Sequence, residues 1–201
     1  MARMIKKVFD NLGFAWVNDT DHVVLTSAGK AFLDSDNPYQ IIEQQLWKYQ
    51  FWNPLIDSED HKAIKLWPHA FLIQTLLNIP EGISSEEYIL FVSRAQKTND
   101  IDVVVERINN WRRLEKEKKN AIINELEHSI IQPGSRRKSI YNTIKLNCSY
   151  ALAFLQLAHY LVDSNKDSNS KYSVCLKPSC RYEVEDRIKN FNKNSVYINF
   201  H

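Results

Sequence analysis

The chain has 201 residues, of which 44% are hydrophobic and 25% charged, and its formal net charge is +2. This composition is ordinary for a soluble globular protein, and no apolar run approaches the roughly 18 residues of a membrane span. The charged N-terminus does not fit a secretory signal, and an odd count of cysteines argues against a disulfide framework. Together these features predict a reducing, cytoplasmic location.

The chain opens with a predicted helix and hairpin. Residues 3–12 carry apolar side chains four apart and stop at Gly13, a residue that commonly ends helices. Residues 14–17 and 23–25 are typical of two short strands, and the polar residues 18–21 between them are typical of a turn.

A Gly-Lys pair follows the second strand in HVVLTSAGKAFLD, residues 22–34, and suggests a phosphate-binding loop. Such a loop needs a second glycine and a Ser or Thr after the lysine, and both are missing around Lys30. We expect Thr26 instead to cap a helix that runs to about Leu33. The small residue Gly29 then permits close packing against the hairpin.

Further helices are predicted at recognisable start signals. They begin behind the N-cap Asn37 with Pro38 at the first position, at Pro68, at Ser84 with Glu87 in a capping box, and at about Ile101. The first of these is expected to end near residue 51, and the third to run through 84–96. The fourth is expected to be long, with its later stretch 112–120 as a solvated face.

Pro133-Gly134 is the predicted boundary between two units, 1–132 and 133–201. Beyond it, apolar spacing predicts a helix over 140–162, a strand over 172–178 and a closing helix over 179–191. Helix, hairpin and helix thus occur twice. The predicted fold is mainly α with short β-hairpin wings, arranged as two winged-helix or helix-turn-helix-like subdomains.

Metal binding has weak support in the sequence. Four residues separate Cys175 from Cys180, and Cys148, His159 and His201 are conceivable further ligands. Structural zinc sites usually show matched pairs of such ligands, and only one loose pair is present. A core cysteine and a half-exposed thiol are therefore the expected roles, and no metal ligand is assigned.

Nuclease motifs are equally weak. Asp60-His61-Lys62 and the stretch 115–118 match the acid-x-Lys pattern, in which carboxylates hold Mg²⁺ and lysine meets developing charge. The first lies in a charged loop and the second in a helical charge run, so both are expected to be solvated surface. We assign no catalytic or cofactor-binding residue.

Basic clusters are the best candidates for binding a polyanion. Residues 136–138 are all cationic and lie where a helix should begin, an unfavourable place for cations unless an anion faces them. The candidate DNA contacts are Arg3, Lys6, Lys7, Lys30, Arg94, Gln96, Lys97, Arg136, Arg137, Lys138, Ser139, Tyr141, Asn142 and Lys145. Two alternatives stay open: a solvated basic turn at 136–138, and helix C-terminal cations at 94–97.

The stretch LTSAGKAFLDSDNPYQIIEQQLWKYQFWNP, residues 25–54, resembles the signature of the AlwI family of Type IIS restriction endonucleases. That signature joins a Thr-x-Ala-Gly-Lys hinge to a proline-containing break and a QLxKWQ segment. The last segment is QLWKYQ here, with Tyr49 in place of the usual Trp. The resemblance continues weakly along most of the chain.

This resemblance implies a region that recognises a short asymmetric site in double-stranded DNA through winged-helix subdomains. Family members cut outside the site with a separate C-terminal PD-(D/E)xK domain that needs Mg²⁺. We find no such nuclease motif, and we expect this chain to be a non-catalytic monomer whose Mg²⁺ chemistry belongs to an associated nuclease domain. A winged-helix transcription regulator or protein-interaction module, and a small Mg²⁺-dependent nuclease, remain the alternatives.

Overall fold

The computed structural model describes residues 2–53, 61–129, 148, 157–162 and 174–194 of the chain. The helices in these ranges are α1 Ala2–Asn11, α2 Ser27–Asp34, α3 Pro38–Lys48, α4 Pro68–Asn78, α5 Ser85–Leu90, α6 Ile101–Arg113, α7 Lys116–Ser129 and α8 Arg181–Asn194. The strands are β1 Ala15–Val17, β2 Val23–Leu25, β3 Leu161–Val162 and β4 Cys175–Leu176. They form two antiparallel pairs, β1 with β2 and β3 with β4. The prediction of a mainly helical fold with short β-hairpins is confirmed.

Three aromatic rings join α1, β1 and α2 into one N-terminal unit. Phe14 lies 5.7 Å from Phe9 and 5.0 Å from Phe32, measured between ring centroids. Thr26 caps α2 as predicted, because its Oγ1 accepts a 3.0 Å hydrogen bond from the Gly29 N–H. A Cβ atom on Gly29 would lie 2.0 Å from the Phe14 carbonyl oxygen, so only glycine permits this approach of helix to strand.

Helix α4 lies at the centre of the core. All side chains from His69 to Ile73 are fully buried, and the helix packs against α3, α6 and α8. Two backbone hydrogen bonds join the segment after α4 to the second strand pair. They connect Ile83 with Val174, the residue before β4, at 2.9 and 3.1 Å. Val184 on α8 is fully buried in the same core. Residues far apart in sequence therefore share one hydrophobic cluster.

The helix predicted over 84–96 is correct at its start and wrong at its end. Ser84 and Glu87 form the predicted capping box, but α5 ends at Leu90 and a short 3₁₀ turn, Val92–Arg94, follows. The next residues are held by tertiary pairing, because the Lys65 N–H donates a 2.7 Å hydrogen bond to the carbonyl of Gln96. This backbone hydrogen bond from Lys65 replaces the last helical turn that was predicted after α5.

Two other helices also end earlier than predicted. The helix expected to reach residue 51 ends at Lys48, where Tyr49 turns to extended backbone. The helix from Ile101 ends at Arg113, because Leu114 is extended and α7 starts afresh at residue 116.

The helix predicted over 140–162 is wrong at its end, where Leu161 and Val162 pair with Leu176 and Cys175 as β3 and β4. Strand pairing across the chain outweighs the helical spacing of these apolar residues. The predicted boundary at Pro133-Gly134 and the basic stretch at 136–145 lie outside the described residues. In the part of the chain that is described, no helix is long and apolar enough to cross a membrane.

Candidate nucleic-acid interface

The N-terminal unit carries cations predicted to contact DNA. Lys6 and Lys7 are exposed on α1, and Lys30 is exposed on α2, while Arg3 lies in the first turn of α1. The aromatic cluster of Phe9, Phe14 and Phe32 fixes the two helices to each other and to the hairpin. The structure thus gathers these residues on one compact unit.

The first hairpin of the same unit exposes apolar side chains. Trp16 is 58% exposed and Val23 69% exposed, although each strand has only three residues. Trp16 is not among the residues predicted to contact DNA. The available signal was strand length, because a two-stranded hairpin this short has no second layer to cover both of its faces.

Polar groups organise the tip of this hairpin. Asn18 Oδ1 accepts hydrogen bonds from the backbone N–H groups of Thr20 and His22, at 3.1 and 2.9 Å. Asp21 adopts a left-handed backbone with φ of 59°, which lets the chain reverse there. Thr20 Oγ1 lies 2.8 Å from His22 Nδ1, and both side chains are exposed. The tip is therefore ordered and presents hydroxyl and imidazole groups outward.

A second basic segment follows α5. Arg94, Gln96 and Lys97 are exposed, and the backbone N–H groups of Gln96 and Lys97 both donate to Asp100 Oδ2. The backbone of Lys65 pairs with Lys97 in a parallel bridge, which adds another exposed lysine beside it. Lys97 is not at the C-terminus of a helix, so that alternative role is wrong for it. Arg94 does end a 3₁₀ turn.

The described cations differ in whether a carboxylate neutralises them. Lys6, Lys7, Lys30 and Arg94 form no ion pair with any residue in the described ranges. The contrasting set consists of arginines paired to glutamates elsewhere in the fold: Arg112 with Glu81 and Glu87, Arg181 with Glu185, and Arg187 with Glu43. Uncompensated positive charge is thus found on the N-terminal unit and at the end of the 3₁₀ turn, where it is available to an anion.

Arg112 corrects the prediction that residues 112–120 form only a solvated face. Its Nε donates a 2.7 Å hydrogen bond to Glu87, whose side chain is 4% exposed, and its Nη2 donates to the Gly82 carbonyl at 2.6 Å. A helical charge run therefore contains one arginine that belongs to the interior.

The nuclease-like triplets remain without a metal-binding partner among the described residues. Asp60 lies outside the described ranges, and His61 and Lys62 are exposed. Glu115 is 76% exposed and lies 4.0 Å from Lys118. The strongest basic cluster, Arg136 to Lys145, also lies outside the described residues and remains a prediction.

Two histidines have perturbed pKa values for opposite reasons. Burial lowers the pKa of His69 to about 3, and its Nε2 lies 2.5 Å from the Tyr160 hydroxyl in the core. The hydrogen bond with the Glu43 carboxylate, 2.7 Å from Nδ1, raises the pKa of His159 above its usual value. His69 is a structural residue, whereas His159 is 54% exposed and accessible to solvent ions.

Comparison with solved structures finds a similar fold in a domain of a restriction enzyme. One of nine matching chains is the BpuJ1 endonuclease binding domain, crystallised in complex with pyrene- and phenanthrene-modified DNA. The two folds agree with a TM-score of 0.57 and 16% sequence identity, over 98% of this chain and 67% of that chain.

Family assignment follows from the sequence itself. The family model for the AlwI restriction endonuclease matches residues 10–191, which is most of the chain. This protein therefore belongs to the AlwI restriction endonuclease family. No curated protein matches the chain.

Proposed function

We propose that this chain recognises a specific sequence in double-stranded DNA, as the target-recognition region of a Type IIS restriction or nicking endonuclease. The observation that carries the proposal is the fold likeness over 98% of the chain to an endonuclease binding domain solved with DNA. Membership of a restriction endonuclease family supports it.

The proposed mode of binding assigns phosphate contacts to the uncompensated cations. Lys6, Lys7 and Lys30 would neutralise phosphates beside the first hairpin, and Arg94 and Lys97 would do so at a second position. The ordered hairpin tip would approach a groove as the wing of a winged-helix unit, and one helix from each unit would read base edges.

Phosphate contacts predict a measurable salt dependence. Each neutralised phosphate contributes about 0.9 to the slope of log affinity against log salt concentration. The triple variant Lys6→Ala, Lys7→Ala, Lys30→Ala should therefore lower the slope by about 2 to 3 in a fluorescence anisotropy titration. Lys118→Ala is the matched control, because that exposed lysine is on α7 beside Glu115. An unchanged slope in the triple variant would contradict the assignment.

The cluster at 136–145 is proposed as a further phosphate seat. Arg136→Ala with Arg137→Ala should weaken binding to all duplexes by a similar factor and reduce the salt slope by about 2. If affinity and slope stay as in the unmodified chain, these residues form a solvated basic turn and not a phosphate seat.

Selection from a random pool of duplexes tests the overall proposal. We expect enrichment of one short asymmetric site bound by a single chain. Enrichment of a palindrome bound by two chains would favour a transcription regulator, and no enrichment would favour a protein-interaction module. Incubation of the chain with its selected duplex and Mg²⁺ should give no cleavage, because we assign Mg²⁺-dependent chemistry to an associated nuclease domain.

A further inference from the structure

Three potential metal ligands from different parts of the fold meet where the turn before β3 contacts the start of α8. An imidazole nitrogen of His159, Sγ of Cys180 and a carboxylate oxygen of Glu183 all lie within 4.8 Å of one another. We propose that this cluster is a zinc site, with His159 Nε2, Cys180 Sγ and the Glu183 carboxylate as its ligands.

The orientation of His159 is already that of a metal ligand. Its Nδ1 lies 2.7 Å from Glu43 Oε2, and Glu43 is 8% exposed, so the acceptor is fixed in the protein. Arg187 holds the other oxygen of Glu43 at 2.5 Å. Zinc-binding histidines usually donate one ring N–H to such a carboxylate, which leaves the other nitrogen to bind the metal. Here that other nitrogen, Nε2, is the one that faces Glu183.

The distances agree with tetrahedral zinc geometry. His159 Nε2 lies 3.3 Å from Glu183 Oε1. Zinc bonds of about 2.0–2.2 Å to nitrogen and oxygen require a separation of about 3.4 Å between the two ligand atoms. A Zn–S bond of about 2.3 Å requires Sγ about 3.6 Å from Nε2. Sγ lies within 4.8 Å of an imidazole nitrogen of His159, so the Cys180 side chain can reach this distance by rotating. Water would complete the fourth position.

Charge also favours a divalent ion. Zinc binding displaces the thiol proton of Cys180 and, from the imidazolium form, the Nε2 proton of His159, and both pass to the buffer. The thiolate and the Glu183 carboxylate then balance the two positive charges. The Glu43 carboxylate is compensated by Arg187. The combination of one thiolate, one imidazole and one carboxylate suits zinc better than magnesium or calcium, which prefer oxygen ligands.

The thiol distinguishes zinc from a simpler explanation of the same geometry. A protonated His159 could bridge Glu43 and Glu183 without any metal, and Cys180 would then have no role in the cluster. Zinc instead requires Cys180, and it would tie the turn at 157–160 to α8. The ion would therefore fix the second strand pair to the closing helix and would keep one coordination position open to water.

Metal titration of the EDTA-treated full chain tests the proposal. We expect one equivalent of Zn²⁺ per chain, and Co²⁺ should give a thiolate charge-transfer absorption in the near ultraviolet. Cys180→Ser should abolish that absorption, while the control Cys175→Ser should keep it. Glu43→Gln should lower zinc affinity about 10- to 100-fold, since it removes only the support of His159. Zinc at about 100 times its Kd should raise Tm by about 5–10 °C.

A measurement on the unmodified chain covers the case in which a variant does not fold. Zn²⁺ should slow alkylation of Cys180 by iodoacetamide, as mapped by mass spectrometry, and should leave the rate at Cys175 unchanged. The proposal is overturned if the chain binds no zinc, if both cysteines are protected equally, or if Cys180→Ser binds Co²⁺ with the same spectrum as the unmodified chain.

Discussion

Replacement of Gly29 by alanine should destabilise the protein, although alanine is the better helix former. The added Cβ would lie 2.0 Å from the Phe14 carbonyl oxygen and 3.0 Å from its carbon. An ordinary C···O contact is at least about 3.3 Å, so α2 and β1 must separate by more than about 1 Å. That movement stretches the 2.6 Å hydrogen bond from Thr26 Oγ1 to the Gly13 carbonyl and the 3.0 Å bond from Thr26 N–H to Phe14.

The expected change in the free energy of unfolding is the sum of two destabilising contributions and one stabilising contribution. Overpacking costs about 2 kcal/mol, two weakened hydrogen bonds cost about 2 kcal/mol together, and helix propensity returns about 1 kcal/mol. We therefore expect Gly29→Ala to lower the free energy of unfolding by about 3 kcal/mol, measured by urea denaturation. The control Ala31→Gly, at an exposed position of the same helix, should cost about 1 kcal/mol through propensity alone. If Gly29→Ala is as stable as the unmodified chain or more so, helix propensity outweighs the contact between α2 and the Phe14 carbonyl, and our reasoning is wrong.

Three further changes should separate interior contacts from surface ones. Burial holds the pKa of His69 at about 3 in the folded state, against the ordinary value of 6.5. As the pH falls between these two values, His69 therefore becomes protonated only in the unfolded state. The free energy of unfolding should therefore drop by about 2 kcal/mol through this group between pH 6.5 and 4.5. His69→Gln should show a shallower pH dependence in urea titrations. Arg112→Ala should lower the free energy of unfolding by about 3–5 kcal/mol, because it leaves buried Glu87 without its ion-pair partner. Glu81→Gln changes a side chain that is 49% exposed and should lower it by less than about 1 kcal/mol. Equal losses of Tm in the two variants would contradict this expectation. Thr26→Ala should lower the free energy of unfolding in urea denaturation by about 1–2 kcal/mol, and Thr26→Ser should lower it much less, because serine keeps the hydroxyl oxygen that caps α2. Equal losses in the two variants would show that this oxygen is not the cause.

Local signals were sufficient for most element starts and for the exposure of some predicted contact residues. Thr26, Pro68 and the Ser84–Glu87 capping box each act within one helical turn, so the sequence alone predicts them correctly. The exposure of Lys6 and Lys7 follows in the same way from their positions off the apolar face of α1.

Contacts between distant residues could not be predicted in this way. The end of the helix after Ser84 depends on a backbone bond from Lys65, and the burial of Arg112 depends on Glu87, 25 residues away. The proposed zinc site depends on Glu43, which lies 116 residues from His159. No periodicity within a window of one or two turns contains such pairs, so the sequence pattern does not predict them.

The core around α4 also has a consequence for the order in which the protein is made. The ribosome synthesises His69 before Tyr160, its hydrogen-bond partner 91 residues later in the chain. At about 5–20 residues per second, a ribosome needs roughly 5–18 s to synthesise that stretch. During this interval α4, which packs against α8 in the finished fold, has no C-terminal cover, and its apolar surface is open to chaperones or to neighbouring nascent chains.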